Sequence, residues 1–327
     1  MTTDLALIDW SRAQFALTAC YHWLFVPLTL GLAVVMGVME TLYVWRRDDF
    51  WKRAAMFWMK LFGINFAVGV ATGLILEFEF GTNFSNYAWF VGDVFGAPLA
   101  IEALWPFSWS HVHCRHVFWL EQGKPRFSPG FNVAYGRGRT LSAWWILVAN
   151  SWMQHPVGMT FNPDTVRSEM TDFVAVAFSH EAVIKFLHTV LSGWLTGAVF
   201  VVGVSCWFLL RRRHERFARA SVRVGAVVGL IGGLGVMFTG DQSGLIVARN
   251  QPVKLAMAEG LEQGGRRAPF SIVPGVEVPG LLSVLATHDV QGYVPGLTDW
   301  AAGYTDADGV SHPRPCRKWI MAAAPDG

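Results

Sequence analysis

The sequence predicts an all-α protein, a polytopic transmembrane helix bundle of about six spans with an extramembrane carboxyl-terminal segment. The chain of 327 residues is 53% hydrophobic and only 15% charged, with 16 Trp and 24 Phe. Soluble domains rarely combine so little charge with so many aromatic side chains. The apolar residues are also grouped into runs long enough to cross a bilayer, which takes about 20 residues. From Gly240 onwards these runs give way to Gly, Pro and mixed charge.

Six apolar stretches are the predicted spans. They cover residues 13–45, 54–80, 89–109, 141–159, 186–210 and 218–238. The lead before the first stretch is acidic and no small-residue cleavage site follows it, so we expect a retained span rather than a signal peptide. Residues 1–239 are therefore expected to form the transmembrane bundle, and residues 240–327 an extramembrane segment with a tail.

The distribution of Lys and Arg predicts the orientation, because cytoplasmic loops of membrane proteins carry an excess of both. The loops after the first and fifth spans contain the basic runs RRDDFWKR and RRRHERFAR. By contrast, residues 81–87 contain no Lys or Arg, and residues 155–172 contain Arg167 alone. The amino terminus and the segment after the sixth span are therefore expected outside.

Two histidines and one carboxylate lie inside predicted spans, where an ionisable side chain is costly and by default suggests a function. His22 lies in the outer part of the first span, His188 near the start of the fifth, and Glu102 in the third. Two histidines on different helices at similar depth suit haem, whose iron takes imidazole nitrogen as an axial ligand. Alternatives are a helix-bonded neutral imidazole for His22, an interfacial residue for His188, and a hydrogen-bonded, protonated carboxyl for Glu102.

Two further acidic residues lie closer to the predicted span ends. We expect solvent to reach both Asp93 and Glu181. Glu181 precedes Lys185 by four residues, a spacing at which side chains on one helix face form ion pairs. These residues are therefore interpreted as a solvated carboxylate and an ion pair, not as a site.

Several long strings of residues resemble subunit I of the cytochrome bd quinol oxidases. The matching strings are RAQFALTACYHWLFVPLTLG, KLFGINFAVGVATGLILEFEFGTNFSNY, VGDVFGAPLAIE, LSAWWILVANSWMQHPVG, KFLHTVLSGWLTGA and GDQSG. Together they extend from Arg12 to about Glu259 with one gap. The chain is therefore identified as resembling a member of this family.

The resemblance implies a role for each candidate residue. His22 would ligate one of the two high-spin haems, which are haem d and its b-type neighbour. Glu102 would lie in the haem d pocket as a catalytic residue, and His188 would be one axial ligand of the low-spin haem b. Lys254 and Glu259, in QPVKLAMAE, match positions associated with quinol binding and oxidation.

The resemblance also implies the reaction and its setting. Members of the family oxidise quinol and reduce dioxygen to water in aerobic respiratory electron transport. The expected partners are subunit II of the oxidase, membrane quinol, dioxygen and the lipid bilayer. The expected location is the bacterial cytoplasmic membrane, and no nucleic-acid partner is expected.

Two parts of the chain depart from the family pattern. Family members continue through three more spans, which carry a Met and a Glu that ligate haems, and neither residue can be assigned here. Beyond about Asp299 the tail matches neither loop nor span, so an incomplete copy is expected. Residues 104–140 contain His111, His113, Cys114 and His116 in place of the family sequence. A metal site is one interpretation of this cluster, and a shifted reading frame is the alternative hypothesis.

Three functions remain open from the sequence. The first is an active oxidase subunit, and the second is an inactive truncated or frameshifted remnant of that subunit. The third is a proton-coupled transporter that uses membrane His and Glu as a relay. The haem content of membranes that carry the chain distinguishes them.

Overall fold

The computed structural model of the protein describes residues 4–101, 131–273, 276–305 and 311–312. The chain divides into two compact units, Met1–Met237 and Phe238–Gly327. Long helices make up the first unit, and the second combines short helices with two-stranded hairpins. The predicted all-α transmembrane class is confirmed, with short strands as an addition that the sequence did not predict.

Six helices of the described residues belong wholly or largely to the first unit. They are α1 Asp4–Arg46, α2 Asp49–Thr82, α3 at residues 85–101, α4 Phe131–Gln154, the short α5 Phe173–Ala177 and α6 His180–Leu210. Helix α7, Glu215–Asn250, starts in the first unit and continues into the second. Helix α1 packs against α2, α4 and α6, and is therefore the central helix of the first unit.

Four stretches of the described residues are helical, long and apolar enough to cross a membrane. They are Ala6–Arg46, Asp49–Thr82, Phe173–Leu210 and Glu215–Asn250, and they contain the first, second, fifth and sixth predicted spans. The third predicted span begins in α3 and continues into residues outside the described part. The described residues therefore support four of the six predicted spans directly.

One predicted span runs past the end of its helix, and another helix begins before its predicted span. Helix α4 ends at Gln154 rather than at residue 159, because Pro156 cannot continue a helix and restricts the residue before it. Helix α6 begins at His180 rather than at residue 186. The Ser179 side chain accepts a hydrogen bond from the Ala182 amide and caps the added turns.

Helices α1 and α6 meet backbone to backbone at three glycines. A Cβ atom on Gly197 would lie 2.5 Å from the Gly31 backbone, and one on Gly193 would lie 3.2 Å from the Pro27 carbonyl oxygen. Residue numbers rise together along both helices at these contacts, so the helices run parallel. Small residues four apart permit such close approach between membrane helices.

The core of the first unit extends from this contact along α1, α2, α6 and α7. Its largest fully buried side chain is Trp58, whose indole N–H donates to the Ser221 hydroxyl at 3.1 Å. Helix α7 joins through small residues, since a Cβ on Gly225 would lie 2.9 Å from the Val202 side chain. Four long helices are thus tied together by packing, and a buried hydrogen bond joins α2 to α7.

The two basic loops lie at the same end of the first unit. Asp48 caps α2 by accepting from the Phe50 amide, and its other oxygen lies 3.4 Å from the Arg216 guanidinium at the start of α7. The same guanidinium stands 4.5 Å from the centre of the Phe50 ring. The structure therefore brings together the α1–α2 and α6–α7 loops, which the sequence had linked only by charge.

Short antiparallel pairs of strands occur in both units. In the first unit, β1 Met159–Asn162 pairs antiparallel with β2 Arg167–Met170. The second unit contains three antiparallel pairs: β3 Gly265–Arg266 with β6 Tyr293–Val294, β4 Phe270–Val273 with β5 Val276–Val278, and β7 Tyr304–Thr305 with β8 Ser311–His312. Its short helices are α8 Pro252–Ala258, α9 Leu281–Thr287 and α10 Leu297–Ala302. Its small apolar core centres on Ala268, Leu282, Ala286 and Val294.

Replacement of Gly197 by Ala should destabilise the first unit. The added methyl group has no room against the Gly31 backbone, so α1 and α6 must separate, at a cost of about 1–3 kcal/mol for an overpacked core. Gly203→Ala in the same helix is the matched control, because a Cβ there meets no described atom within 4 Å. Thermal unfolding of the detergent-solubilised protein should show a lowered midpoint for Gly197→Ala alone. Equal midpoints for the two variants would contradict the close contact.

Candidate functional site

His22 lies at the contact between α1 and α2. Its Nδ1 atom is 2.9 Å from the Thr72 hydroxyl oxygen, and Thr72 is buried. The two helices run antiparallel here, because Thr29 of α1 meets the earlier Asn65 of α2. The imidazole is therefore held in the interhelical contact by a side chain 50 residues away.

The hydrogen bonds of Thr72 indicate which ring nitrogen of His22 carries the proton. The Thr72 hydroxyl lies 2.9 Å from the Val68 carbonyl oxygen and 3.1 Å from the Gly69 carbonyl oxygen, and a hydroxyl has one proton to donate. With that proton directed to a carbonyl, the hydroxyl accepts from Nδ1–H of His22. Nε2 then presents a lone pair. An imidazole fixed through Nδ1–H with Nε2 exposed is the usual arrangement of a metal-ligating histidine.

Two glycines of α2 make room for the ring. A Cβ atom on Gly73 would lie 3.0 Å from His22 Cε1, and a Cβ on Gly69 would lie 3.3 Å from the Phe25 side chain. The Gly73 distance is shorter than nearly all contacts that real Cβ atoms make, so a side chain there would displace the imidazole. The glycines and Thr72 together define where the imidazole lies.

Further polar contacts lie above and below His22 on the same pair of helices. Towards the end of α2, the Thr18 hydroxyl lies 2.9 Å from Glu79 Oε1. Towards its middle, the Asn65 amide donates to the Phe25 carbonyl oxygen at 2.9 Å and to the Thr29 hydroxyl at 2.7 Å. We call the contacts of Thr18–Glu79, His22–Thr72 and Asn65–Thr29 the α1–α2 polar series.

Glu79 is an ionisable member of this series that the sequence did not identify. Its side chain is 4% exposed, and no residue of the described part forms a hydrogen bond with Oε2. The available signal was its spacing, since Glu79 follows Thr72 by seven residues, about two turns, and so shares its helix face. From the sequence alone, Glu79 looks like an ordinary glutamate near the end of a span. Only its contact with α1 distinguishes it.

His188 lies on α6 and is half-buried. The α1–α6 contacts join Pro27 to Gly193 and Gly31 to Gly197. His22 precedes Pro27 by five residues, and His188 precedes Gly193 by five. Because the helices are parallel, the two histidines lie at similar heights along the bundle. The structure thus agrees with the predicted similarity in depth, although it does not test the role of either residue.

Glu181 and Lys185 form the ion pair that their spacing predicted. Glu181 Oε1 lies 2.7 Å from Lys185 Nζ, and the two side chains are 6% and 14% exposed. The expectation that solvent reaches Glu181 was therefore wrong, because the added turns of α6 carry it into the packed bundle. Asp93 is exposed as expected, and it accepts a hydrogen bond from the Met170 amide at 2.8 Å.

Lys254 and Glu259 belong to the second unit, on and just after α8. Lys254 is exposed, whereas Glu259 is half-buried at the C-cap of this helix. Burial raises the pKa of the Glu259 carboxyl above its ordinary value. The two residues lie on one short helix that ends at Ala258, so α8 brings a cation and a proton-accepting carboxyl onto the same element.

Hydrogen bonds hold the chain immediately after Glu259. Gly260 has a φ of 63°, a left-handed conformation that suits glycine at the end of a helix. The Leu261 amide then donates back to the Ala256 carbonyl oxygen at 2.8 Å, and the Leu261 carbonyl oxygen accepts from the Leu297 amide at 2.9 Å. The carboxyl of Glu259 is therefore attached to a fixed backbone.

A second hydrogen-bonded group holds α10 in the same unit. Asp299 Oδ2 accepts from the Tyr293 hydroxyl at 2.9 Å and from the Gly296 amide at 2.8 Å. Burial and the Asp299 carboxylate raise the pKa of Tyr293 to about 12, so the phenol stays protonated and keeps donating at neutral pH. The first turn of α10 is thereby fixed to the strand β6 and the turn that precede it.

Some predicted site residues lie outside the described part. Glu102, the predicted catalytic residue of the third span, is one of them, and so are His111, His113, Cys114 and His116. The metal-site interpretation and the shifted-frame hypothesis for residues 104–140 stay predictions. Among the residues that the structure does describe, no group of three or more His, Cys, Asp or Glu side chains could hold a metal ion.

Comparison with known proteins supports the resemblance over most of the chain. The family model for cytochrome bd terminal oxidase subunit I matches residues 10–319. The chain is 46% identical over 311 residues to cytochrome bd-II ubiquinol oxidase subunit 1 of Escherichia coli (strain K12), covering 90% of this chain and 60% of that protein. It is 38% identical over 322 residues to cytochrome bd ubiquinol oxidase subunit 1 of Bacillus subtilis (strain 168), covering 90% of this chain and 65% of that one. The chain thus spans less than two thirds of the length of these two relatives.

A solved structure supports the fold. The bd oxidase from Geobacillus thermodenitrificans matches with a TM-score of 0.79 at 22% sequence identity. The match covers 89% of this chain and 70% of that chain. At this identity the likeness supports the arrangement of helices and carries no statement about individual side chains.

Replacement of Gly73 by Ala should displace the His22 imidazole. The new methyl group would press on Cε1, so any haem bound through Nε2 would lose its ligand geometry. Gly63→Ala in the same helix is the matched control, because a Cβ there meets no described atom within 4 Å. Reduced absorption spectra of membranes should show an altered high-spin haem signal for Gly73→Ala and an unchanged one for Gly63→Ala. Identical spectra would argue against the contact of His22 with a bound haem.

Proposed function

Since the chain belongs to the family of cytochrome bd terminal oxidase subunit I, we propose that it is the haem-bearing subunit of an oxidase that takes electrons from quinol and reduces dioxygen to water. The observation that carries the proposal is the family match over residues 10–319. The geometry of His22 supports it, because the ring is fixed through Nδ1 and presents Nε2. Bound haem would supply the electron-transfer and dioxygen chemistry that protein side chains lack.

The histidines fit axial ligation of haem iron. His22 would hold one of the two high-spin haems, haem d or its b-type neighbour, and Thr72 would keep its ring orientation. His188 would be one axial ligand of the low-spin haem b, at a similar height along the bundle. Glu102 would complete the haem d pocket as a catalytic residue. The parallel register of α1 and α6 supports histidine ligands at a common depth for electron transfer.

Lys254 and Glu259 would bind and deprotonate quinol. Oxidation of a quinol to a quinone releases two electrons and two protons, so a proton acceptor must stand beside a quinol hydroxyl. Glu259 would take one proton at a carboxyl oxygen, and its raised pKa brings its proton affinity closer to working pH. The Lys254 ammonium would donate a hydrogen bond to a quinol oxygen. The electrons would pass to the haems, and the protons would leave on the outer side.

The basic loops favour one orientation in the bacterial cytoplasmic membrane. The α1–α2 and α6–α7 loops meet at one end through Asp48 and Arg216, and positively charged loops stay in the cytoplasm. The amino terminus and the segment with Lys254 and Glu259 would then lie outside. Subunit II of the oxidase would be the companion subunit within the bilayer.

Replacement of His188 by Ala should abolish the low-spin b-haem signal, because an alanine offers no axial nitrogen. His22→Ala should instead remove or alter a high-spin signal and leave the low-spin one. His214→Ala, in the exposed loop after α6, is the control and should leave both signals intact. The measurement is the reduced-minus-oxidised spectrum of membranes that carry the chain with its partner subunit.

The parent spectrum distinguishes the three functions. A haem d band with quinol oxidase activity supports the proposal. A b-type signal alone, or no haem signal, would favour the inactive remnant. Membranes that lack haem but take up a substrate would favour the transporter. An unchanged spectrum in His188→Ala would refute the role of that residue.

Quinol oxidation should increase with pH through the raised pKa of Glu259. Only the ionised carboxyl accepts a proton, and burial shifts its ionisation to higher pH than for an ordinary glutamate. Glu259→Gln should slow the reaction at least tenfold and remove this dependence, because an amide cannot act as the base. Glu277→Gln, on the exposed strand β5, is the control. A pH profile of kcat/KM that is identical in both variants and the parent would contradict the role.

A further inference from the structure

A buried ion pair lies at the start of α6, close along the helix to His188. Glu181 and Lys185 approach to 2.7 Å and are 6% and 14% exposed. Relative to apolar residues of similar size, a buried pair adds little net stability, because the cost of removing both charges from water offsets their attraction. In a membrane helix, such charges are rare and commonly mark a functional position. Stability therefore does not explain why these two charges are buried here.

The pair shares a helix face with His188. Glu181 and His188 are seven residues apart, which places them within about 20° on the helix and about 10 Å along its axis. Lys185 stands between them, about 4.5 Å along the axis from His188. His188 points from this face and is half-buried. A group bound by His188 would thus lie within the electrostatic field of both charges, and burial limits screening by salt.

Among the described residues, His155 is a further ionisable group that reaches Glu181. His155 Nδ1, just beyond the end of α4, lies 3.9 Å from Glu181 Oε2, and its side chain is 47% exposed. Lys185 is much closer to Glu181 and much more buried than His155. Of these two contacts of Glu181, the one with Lys185 is therefore the stronger.

We propose that Glu181 and Lys185 act as opposed charges on the haem held by His188, each shifting its reduction potential and each balancing the other, an inference that rests on the proposed haem-binding role of that histidine. Reduction adds one electron to the haem, so a nearby negative charge opposes it and a nearby positive charge favours it. The two charges of the pair act in opposite directions and largely cancel. The pair keeps a charged lysine beside the haem without raising the potential as far as an isolated lysine would. Glu181 and Lys185 are positioning and tuning residues in this scheme.

The experiment is a spectroelectrochemical titration of the low-spin haem in the purified oxidase with its partner subunit. Glu181→Gln removes a negative charge near the haem, so the midpoint potential should rise. Lys185→Gln removes a positive charge near the haem, so the midpoint potential should fall. The double variant should return close to the parent value, because both charges are gone. Glu181→Asp, which keeps the charge, should shift the midpoint less than Glu181→Gln.

The control is an exposed pair of the same type. Glu215 and Arg219 on α7 also lie four residues apart and approach to 2.7 Å, but their side chains are 45% and 67% exposed. Glu215→Gln should leave the midpoint unchanged, because solvent screens this charge.

The outcomes separate the inference from the function on which it rests. Shifts of opposite sign in the two single variants, cancelled in the double variant, support the tuning role. Shifts of the same sign, or loss of haem in the single variants without recovery in the double variant, indicate a structural role and overturn it. If the parent oxidase contains a low-spin haem and its midpoint potential is the same in all four variants, the inference is overturned. The proposed function is not affected by that result. Absence of a low-spin haem from the parent would overturn both.

Discussion

Direct backbone contact between α1 and α6 is the constraint on which the first unit depends. No side chain fits where Gly31 meets Gly193 and Gly197, so the two helices cannot slide past each other without a clash. The contact therefore sets the height of every α1 residue relative to α6. It is also what gives His22 and His188 a common depth, although neither histidine takes part in it. Replacing one of these glycines would shift α1 relative to α6. It would therefore move His22 relative to His188 without altering either side chain.

Helices α1 and α2 are held together by a different means. Inside a bilayer, apolar side chains gain little by leaving lipid, so packing and interhelical hydrogen bonds provide much of the specificity. The α1–α2 polar series supplies three such contacts, and its middle member is His22–Thr72. Because the Thr72 hydroxyl is also bonded to its own helix backbone, it accepts from His22 rather than donates. The contact that joins the helices thus also selects the ring nitrogen left for a ligand.

The sequence predicted the class of the fold better than the surroundings of its site. Hydropathy identified four spans that the structure supports, because a run of apolar residues is a local property. It did not predict the turns of α6 that precede the apolar span, which carry the buried Glu181. The spacing of Glu181 and Lys185 predicted their pairing, but not their burial. Thr72 and Glu79 were missed, because no local pattern joins a polar residue of α2 to its partner on α1.

The two parts of the candidate site are built for different tasks. His22 and His188 project from long packed helices, where glycine contacts leave little freedom, and a rigid scaffold holds a redox group at a constant distance from its neighbours. Glu259 instead ends a helix of seven residues, and hydrogen bonds from its neighbours to Leu297 and to Ala256 hold its backbone. Its half-buried carboxyl can exchange protons with solvent because it lies at the end of the element rather than within it. The proposed function, with a mobile substrate at one site and fixed cofactors at another, would need both kinds of support in one chain.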